Sequence, residues 1–92
     1  MPNPLFKLGR CVATPGANAA MADSNESPIL FLGRHAGGDW GECCEKDKAV
    51  NDSAVNGEAR IMSVYLTSKG VKLWVITEWD RSATTVLLPD EY

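Results

Sequence analysis

Residues 59–89 read ARIMSVYLTSKGVKLWVITEWDRSATTVLLP, and apolar and polar side chains alternate along much of this segment. Such a period of two is typical of β-strands that bury one face. Ser68-Lys69-Gly70 supplies a hairpin loop whose glycine takes a left-handed backbone conformation, and Pro89 ends the last run. The segment therefore predicts an antiparallel β-meander of three strands, over residues 60–67, 71–79 and 83–88.

Two helix starts precede the meander, and both combine a hydroxyl side chain with a following proline. In Thr14-Pro15 and Ser27-Pro28 the hydroxyl can accept a hydrogen bond from a free backbone N–H, and proline fits the first helical position. Asp39, with Glu42 three residues later, forms an acidic capping box at a third start. Helices are thus predicted over residues 15–22, 28–36 and 41–55.

An apolar stretch of β-compatible residues, 5–13, comes before the first helix. We expect it to form a strand and to join the meander as a fourth strand. The chain, residues 1–92, is therefore predicted to be a single α+β domain, with one layer of short helices packed on the antiparallel meander.

Alternation also divides the side chains of the first two meander strands between two faces. One set is expected to pack against the helices, and its members are Met62, Val64, Leu66, Val71, Leu73 and Val75. The other set includes four large apolar residues, Ile61, Tyr65, Trp74 and Ile76. Such a patch is more apolar than a monomer normally exposes. We therefore predict a partner-binding surface there, covered by a second copy in a homodimer, by a different protein, or by a helix of the same chain.

Charge and hydropathy narrow the classes of partner. The 92 residues carry a formal net charge of −3, which argues against a general binder of the phosphate backbone, so nucleic acid is not expected. The sequence contains no run of about 18 apolar residues, so no membrane span is predicted. The N-terminus lacks a basic region followed by an apolar one, so no signal peptide is predicted and a cytoplasmic location is expected.

The three cysteines do not form a recognisable framework, since their number is odd and Cys43 and Cys44 are adjacent. A zinc site built from these two thiols and His35 is disfavoured, because zinc motifs separate paired ligands by two to four residues. No metal and no cofactor is predicted.

The turn after the second meander strand, Glu78 to Ser82, has two interpretations. Asp80 and Ser82 are favoured turn residues because their side chains bond nearby backbone groups. Alternatively Glu78, Asp80 and Arg81 join His35 as the acid-base groups of a small hydrolytic or nuclease-like enzyme. A further hypothesis is a small-ligand binder in which Trp74 and Trp79 line an apolar cleft.

Three segments together resemble a group of small bacterial proteins carried on plasmids, phages and other mobile elements. They are LGRCVATPGA at 8–17, RHAGGDWGE at 34–42 and VITEWDRSATTVLLPDEY at 75–92. The resemblance implies a setting in mobile genetic elements and supplies no catalytic residues. The apolar sheet face, the acidic third helix and the lack of a catalytic signature favour a non-enzymatic interaction protein that acts through that face. The resemblance implies that it has a role in conflict between host and element.

Overall fold

The computed structural model of the chain describes residues 4–92. Its elements follow in the order β1 (Arg10–Ala13), α1 (Pro15–Asp23), α2 (Pro28–Ala36), α3 (Glu45–Ala54), β2 (Ile61–Leu66), β3 (Lys72–Thr77), β4 (Ala83–Leu87) and a short 3₁₀ helix (Pro89–Glu91). This is the predicted α+β fold, in which the N-terminal strand is the fourth strand of the sheet. None of the helices within these residues is long and apolar enough to cross a membrane.

The sheet has the order β1-β4-β3-β2. The meander pairs are antiparallel, whereas β1 runs parallel to β4. The strand predicted over 5–13 begins only at Arg10, because Gly9 has φ +65° and its Cα lies against the carbonyl of Arg81, where a Cβ would overlap that oxygen. Residues before Gly9 instead lead back over α2, where the N–H of Leu5 donates to the carbonyl of Ala36.

Two of the three helix starts use the predicted hydroxyl caps. Thr14 Oγ1 accepts from the N–H of Ala17, and Ser27 Oγ accepts from the N–H of Ile29, both at 3.2 Å. The third prediction was wrong, since α3 begins at Glu45 after Cys44, and no side chain caps it. The carboxylate of Asp39 is engaged elsewhere, because it accepts from Arg34 Nε at 2.7 Å.

The predicted division of side chains between the sheet faces was also wrong. The register pairs Ile61 with Thr77, Ser63 with Val75 and Tyr65 with Leu73, so these residues share the face that the helices cover. Ile61 and Tyr65 are 0% exposed. Trp74 and Ile76 lie on the opposite face, together with Met62 and Val64. The error is a slip of one residue between two correctly identified strands, and such a slip exchanges the faces of one whole strand.

Two apolar clusters fill the space between the helices and the sheet. The larger contains Ala17, Met21, Phe31, Tyr65, Leu73, Val75 and Val86. The smaller contains Phe6, Trp40, Cys43, Ala54 and Ile61. The helices therefore form one layer on one side of the sheet. The core lies between that layer and the inner face of the sheet.

The outer edge of β2 is capped by residues from the helical half of the chain. Val64 donates its N–H to the carbonyl of Trp40 at 3.1 Å and accepts from the N–H of Glu42 at 2.6 Å. The side-chain amide of Asn51 pairs with both backbone groups of Met62, at 2.7 and 3.2 Å. These bonds satisfy backbone groups that an edge strand otherwise leaves free.

Candidate functional site

A chain of buried hydrogen bonds runs from β2 through α2 to β4. Ser63 Oγ lies 2.5 Å from His35 Nδ1, and His35 Nε2 lies 2.9 Å from Thr77 Oγ1. Thr77 Oγ1 lies 2.7 Å from Thr84 Oγ1, which donates to the carbonyl of Leu8 at 2.7 Å. The four side chains are all 0% exposed.

The last acceptor fixes the direction of every proton in this chain. Because Thr84 gives its hydroxyl proton to a carbonyl, it must accept from Thr77, and Thr77 must then accept from His35 Nε2–H. Nδ1 is left to accept from the hydroxyl of Ser63. The arrangement therefore places a proton on Nε2, and in the neutral imidazole Nδ1 is the acceptor.

The surroundings of His35 oppose its protonation. Burial, with a smaller contribution from the positive charge of Arg81, lowers the pKa of His35 from 6.5 to about 4. The rings of Phe6 and Trp40 meet the imidazole edge to face, with centroids at 5.2 and 5.9 Å. With both nitrogens bonded and no exposed surface, His35 joins α2 to β2 and β3 and does not present a group to a substrate.

The turn of residues 78–82 holds the end of α3. Arg81 has φ +60°, and its guanidinium donates to the carbonyls of Ala54 at 2.6 Å, Ala59 at 2.7 Å and Gly57 at 3.2 Å. Asp80 Oδ1 accepts from the N–H of Ser82 at 3.1 Å, and hydrogen bonds from Ser82 lower the pKa of the Asp80 carboxyl. Both side chains thus have structural roles at this turn.

The structure brings together only two of the four residues predicted as acid-base groups. His35 and Arg81 both contact the ring of Phe6, the guanidinium carbon of Arg81 lying 5.7 Å from the ring centroid. Glu78 and Asp80 are exposed, and no hydrogen bond within residues 4–92 joins either side chain to His35 or Arg81. The geometry therefore offers no shared pocket for the four groups.

The sheet face opposite the helices, here called the open sheet face, carries apolar side chains from all four strands, of which Ile76 and Leu87 are buried at 5% exposure each. The register places its side chains in rows, and one row contains Val12, Thr85, Ile76 and Met62. The next row contains Leu87, Trp74 and Val64. Val12 is 41% exposed, and Leu66, farther along β2, is 44% exposed.

The C-terminal residue lies over part of the open sheet face. The ring of Tyr92 meets Trp74 edge to face, with centroids 5.7 Å apart. Arg60 Nη1 donates to the hydroxyl of Tyr92 at 2.6 Å. Tyr92 itself remains 72% exposed, so one aromatic ring shields Trp74 without closing the face.

Charge is distributed unequally between the two sides of the molecule. Residues 15–58, which form the helical layer, contain eight of the twelve acidic residues and three of the nine basic ones. The open sheet face and its margins carry Arg10, Arg60 and Lys72, against Glu78 in the same rows and Glu91, whose carboxylate lies at Thr14 after β1. A ligand of this face thus meets a local excess of positive charge despite the overall charge of −3.

Sequence reasoning missed a second apolar surface. A cavity of about 620 Å³ lies between α2 and the segment before β1, lined by Ile29, Leu30, Leu32 and Leu8 among others. Ile29 is 68% exposed and Leu30 48% exposed. Apolar residues at consecutive positions 29–32 of a helix are a usable signal, because a single helix cannot bury all of its sides against one layer.

The tryptophans and cysteines do not gather into a site. Trp79 is 59% exposed in the turn, whereas Trp74 packs against Tyr92, and neither lines the cavity beside α2. Cys11 and Cys44 are exposed and Cys43 is buried, and all three are free thiols. In the described part of the chain, no three His, Cys, Asp or Glu side chains are placed to hold a metal ion.

Comparisons with protein-family models, with curated proteins and with solved structures found no match.

Proposed function

We propose that this chain is a non-enzymatic interaction protein that binds another protein through its open sheet face. One observation carries the proposal: half-buried Met62 and Trp74, with Val12 and Leu66 at 41% and 44% exposure, form an apolar surface on the sheet face opposite the helices. Soluble monomers seldom expose extended apolar patches without a use for them. Of the four residues predicted for this surface, Trp74 stays in the proposal, whereas Ile61, Tyr65 and Ile76 are buried, and Met62 joins Trp74 on the open sheet face.

The chemistry of the face defines the partner. Large apolar side chains and an aromatic ring favour a partner with apolar anchors, which bind by losing contact with water. Arg60 and Lys72 at the margins favour Asp and Glu around those anchors, because opposite charges accelerate encounter and fix orientation. The proposed ligand is therefore an apolar protein segment flanked by acidic residues.

The resemblance to proteins of mobile elements gives this proposal a setting. A small protein with an exposed apolar binding face fits a role in blocking or recruiting a host protein. Interference with a defence enzyme of the host is the form of host-element conflict that we propose.

The experiment begins with selection of a displayed library of random peptides against the purified chain. We expect enrichment of sequences that combine large apolar residues with Asp or Glu. Calorimetry on an enriched peptide should show binding lost in the double variant Met62→Ser, Trp74→Ser and weakened in Lys72→Glu. The matched control is Ile29→Ser, which removes an exposed apolar side chain from α2 and should leave binding unchanged.

Two results would overturn the proposal. One is a library that yields no ligand, or ligands without acidic and apolar residues together. The other is a peptide whose affinity falls with Ile29→Ser and not with the sheet-face variants, which would transfer the function to the cavity beside α2. Circular dichroism of each variant establishes that a lost interaction is not a lost fold.

A further inference from the structure

The two edges of the sheet differ in how their backbone groups are satisfied. The β2 edge is capped by four hydrogen bonds from Trp40, Glu42 and Asn51. At the β1 edge, the N–H of Arg10 donates to the carbonyl of Ser82, just before β4, and the N–H of Thr14 donates to the carbonyl of Val86 in β4. The backbone groups of successive residues in a strand point alternately to its two sides. The N–H and C=O of Cys11 and Ala13 therefore point away from β4, outward from the edge of the sheet. Within residues 4–92, these outward groups have no backbone partner.

We propose that β1 pairs with β1 of a second copy of this chain, antiparallel about a two-fold axis at Val12. In that register Cys11 of each chain faces Ala13 of the other as a hydrogen-bonded pair, and all the outward backbone groups are satisfied. Val12 faces Val12 of the second copy across the axis. Both open sheet faces then lie on the same side of one eight-stranded sheet.

Opposite charges on the two chains favour a second copy as the partner of β1, and they favour this register. Arg10 is placed opposite Thr14 of the second copy, and Thr14 holds a carboxylate, since its hydroxyl donates to Glu91 Oε1 at 2.5 Å. Thr14 has an extended backbone, with φ −70° and ψ 158°, so its side chain continues the alternation of β1 on the face that carries Arg10. The guanidinium of each chain therefore meets Glu91 of the other.

The carboxylate of Glu91 has a hydrogen-bond acceptor site free for this contact. Its carboxylate accepts from Thr14 Oγ1, from the N–H of Gly16 at 3.2 Å and from the N–H of Leu88 at 2.9 Å. These bonds hold the group in place and lower the pKa of the Glu91 carboxyl, so it is charged near neutral pH. An ionised carboxylate has about four acceptor sites, which leaves one for Arg10.

The same register also joins the apolar rows of the two open sheet faces. The row Met62, Ile76, Thr85 and Val12 of one chain meets the corresponding row of the other at the Val12 pair. Val12, 41% exposed in the single chain, is covered by its counterpart. The inference stands independently of any ligand of the open sheet face.

The test is light scattering with the purified chain across a range of concentrations, together with a crosslink at the axis. We expect a mass of twice 10.0 kDa for the wild-type chain and for Cys11→Ser. Cys11→Pro removes an outward N–H while leaving the bonds to β4, and it should give a monomer. Arg10→Glu places a carboxylate opposite Glu91 and should weaken the dimer about tenfold or more.

The crosslink reports the register. In a chain whose three cysteines are replaced by serine, Val12→Cys should form an intermolecular disulfide, because non-hydrogen-bonded pairs hold their Cα atoms about 4.5 Å apart. Val50→Cys, at a more exposed valine of α3 (53% against 41% for Val12), should remain uncrosslinked. A monomeric wild-type chain, a dimeric Cys11→Pro variant, or equal crosslinking at positions 12 and 50 would each overturn the proposal. The Met62→Ser, Trp74→Ser variant should remain dimeric, so failure of this inference is distinguishable from failure of peptide binding.

Discussion

His35 Nε2 lies 2.9 Å from Thr77 Oγ1, and this contact joins α2 to β3 across 42 residues of sequence. His35 must be the donor in this contact, because Thr77 donates its hydroxyl proton to Thr84 and Thr84 donates its own to a backbone carbonyl. A second proton on the imidazole would have to reside on Nδ1, where Ser63 now donates. Protonation therefore requires the hydroxyl of Ser63 to rotate from donor to acceptor, as well as placing a charge in an apolar interior.

The first prediction concerns stability at acid pH. The unfolded chain protonates its histidine near pH 6.5, whereas the folded chain resists protonation until about pH 4. Protons thus bind the unfolded state preferentially between these values, and the free energy of unfolding should fall as the pH is lowered through that interval. At 1.36 kcal/mol per pKa unit, the loss is about 3 kcal/mol. Urea denaturation from pH 7 to pH 4 measures it.

The control for the pH effect is His35→Gln, which removes the titrating group and leaves the carboxylates unchanged. The difference in unfolding free energy between wild type and this variant should be constant above pH 7 and shrink toward pH 4. Parallel pH profiles for the two proteins would contradict the assignment of the slope to His35.

The second prediction concerns the middle of the hydrogen-bond chain. Thr77→Val keeps the shape of the side chain but leaves Nε2–H of His35 without an acceptor and Thr84 without a donor. Buried groups that lose a partner cost about 1–3 kcal/mol each, so unfolding free energy should fall by at least about that amount. Thermal and urea unfolding measure the change. The control is Thr85→Val on the half-buried opposite face, and it should be nearly neutral.

The third prediction concerns Arg81. Arg81→Asn retains a residue type that tolerates a left-handed backbone but removes the bonds to Ala54, Gly57 and Ala59. Unfolding free energy should fall by about 2 kcal/mol, since hydrogen bonds from a charged donor contribute more than neutral ones. Hydrogen exchange should accelerate at the end of α3 while the centre of the sheet keeps its protection. Equal acceleration in both regions would show a global effect instead.

Local chemistry made the elements predictable. Thr14-Pro15 and Ser27-Pro28 fixed two helix starts, because a cap and a proline act within a few residues. Asp39 was misassigned because Arg34, five residues earlier on α2, takes its carboxylate, and Gly41 bends the chain toward β2. Nothing local at residues 39–42 distinguishes these two uses of an acidic side chain.

The register of β2 against β3 could not be read from the alternation alone. Both faces of β2 carry apolar residues, with Ile61 and Tyr65 on one and Met62 and Val64 on the other. What decides between them is polar: Ser63 and Thr77 must share the inner face to bond His35, and their positions require Ile61 and Tyr65 to be buried. A buried histidine with hydroxyl partners on two strands was the missing signal.

The last prediction separates backbone strain from steric exclusion at two glycines. Gly41 and Gly70 have φ of +71° and +80°, so an alanine at either position adopts a disfavoured backbone conformation. At Gly70 a Cβ meets nothing within 4 Å, and Gly70→Ala should cost about 1–2 kcal/mol of unfolding free energy. At Gly41 a Cβ would overlap the carbonyl oxygen of Val64, which is backbone and cannot rotate away.

Gly41→Ala should therefore cost about 3 kcal/mol or more and displace the segment that caps β2. The N–H of Val64 would then exchange rapidly with solvent, since its bond to the carbonyl of Trp40 would be broken. Denaturation measures the cost, and hydrogen exchange measures the local opening. Equal costs for the two variants would mean that backbone conformation alone determines the effect. A larger cost confined to Gly41, with new exchange at Val64, would establish that this glycine is needed for the close approach that closes the β2 edge.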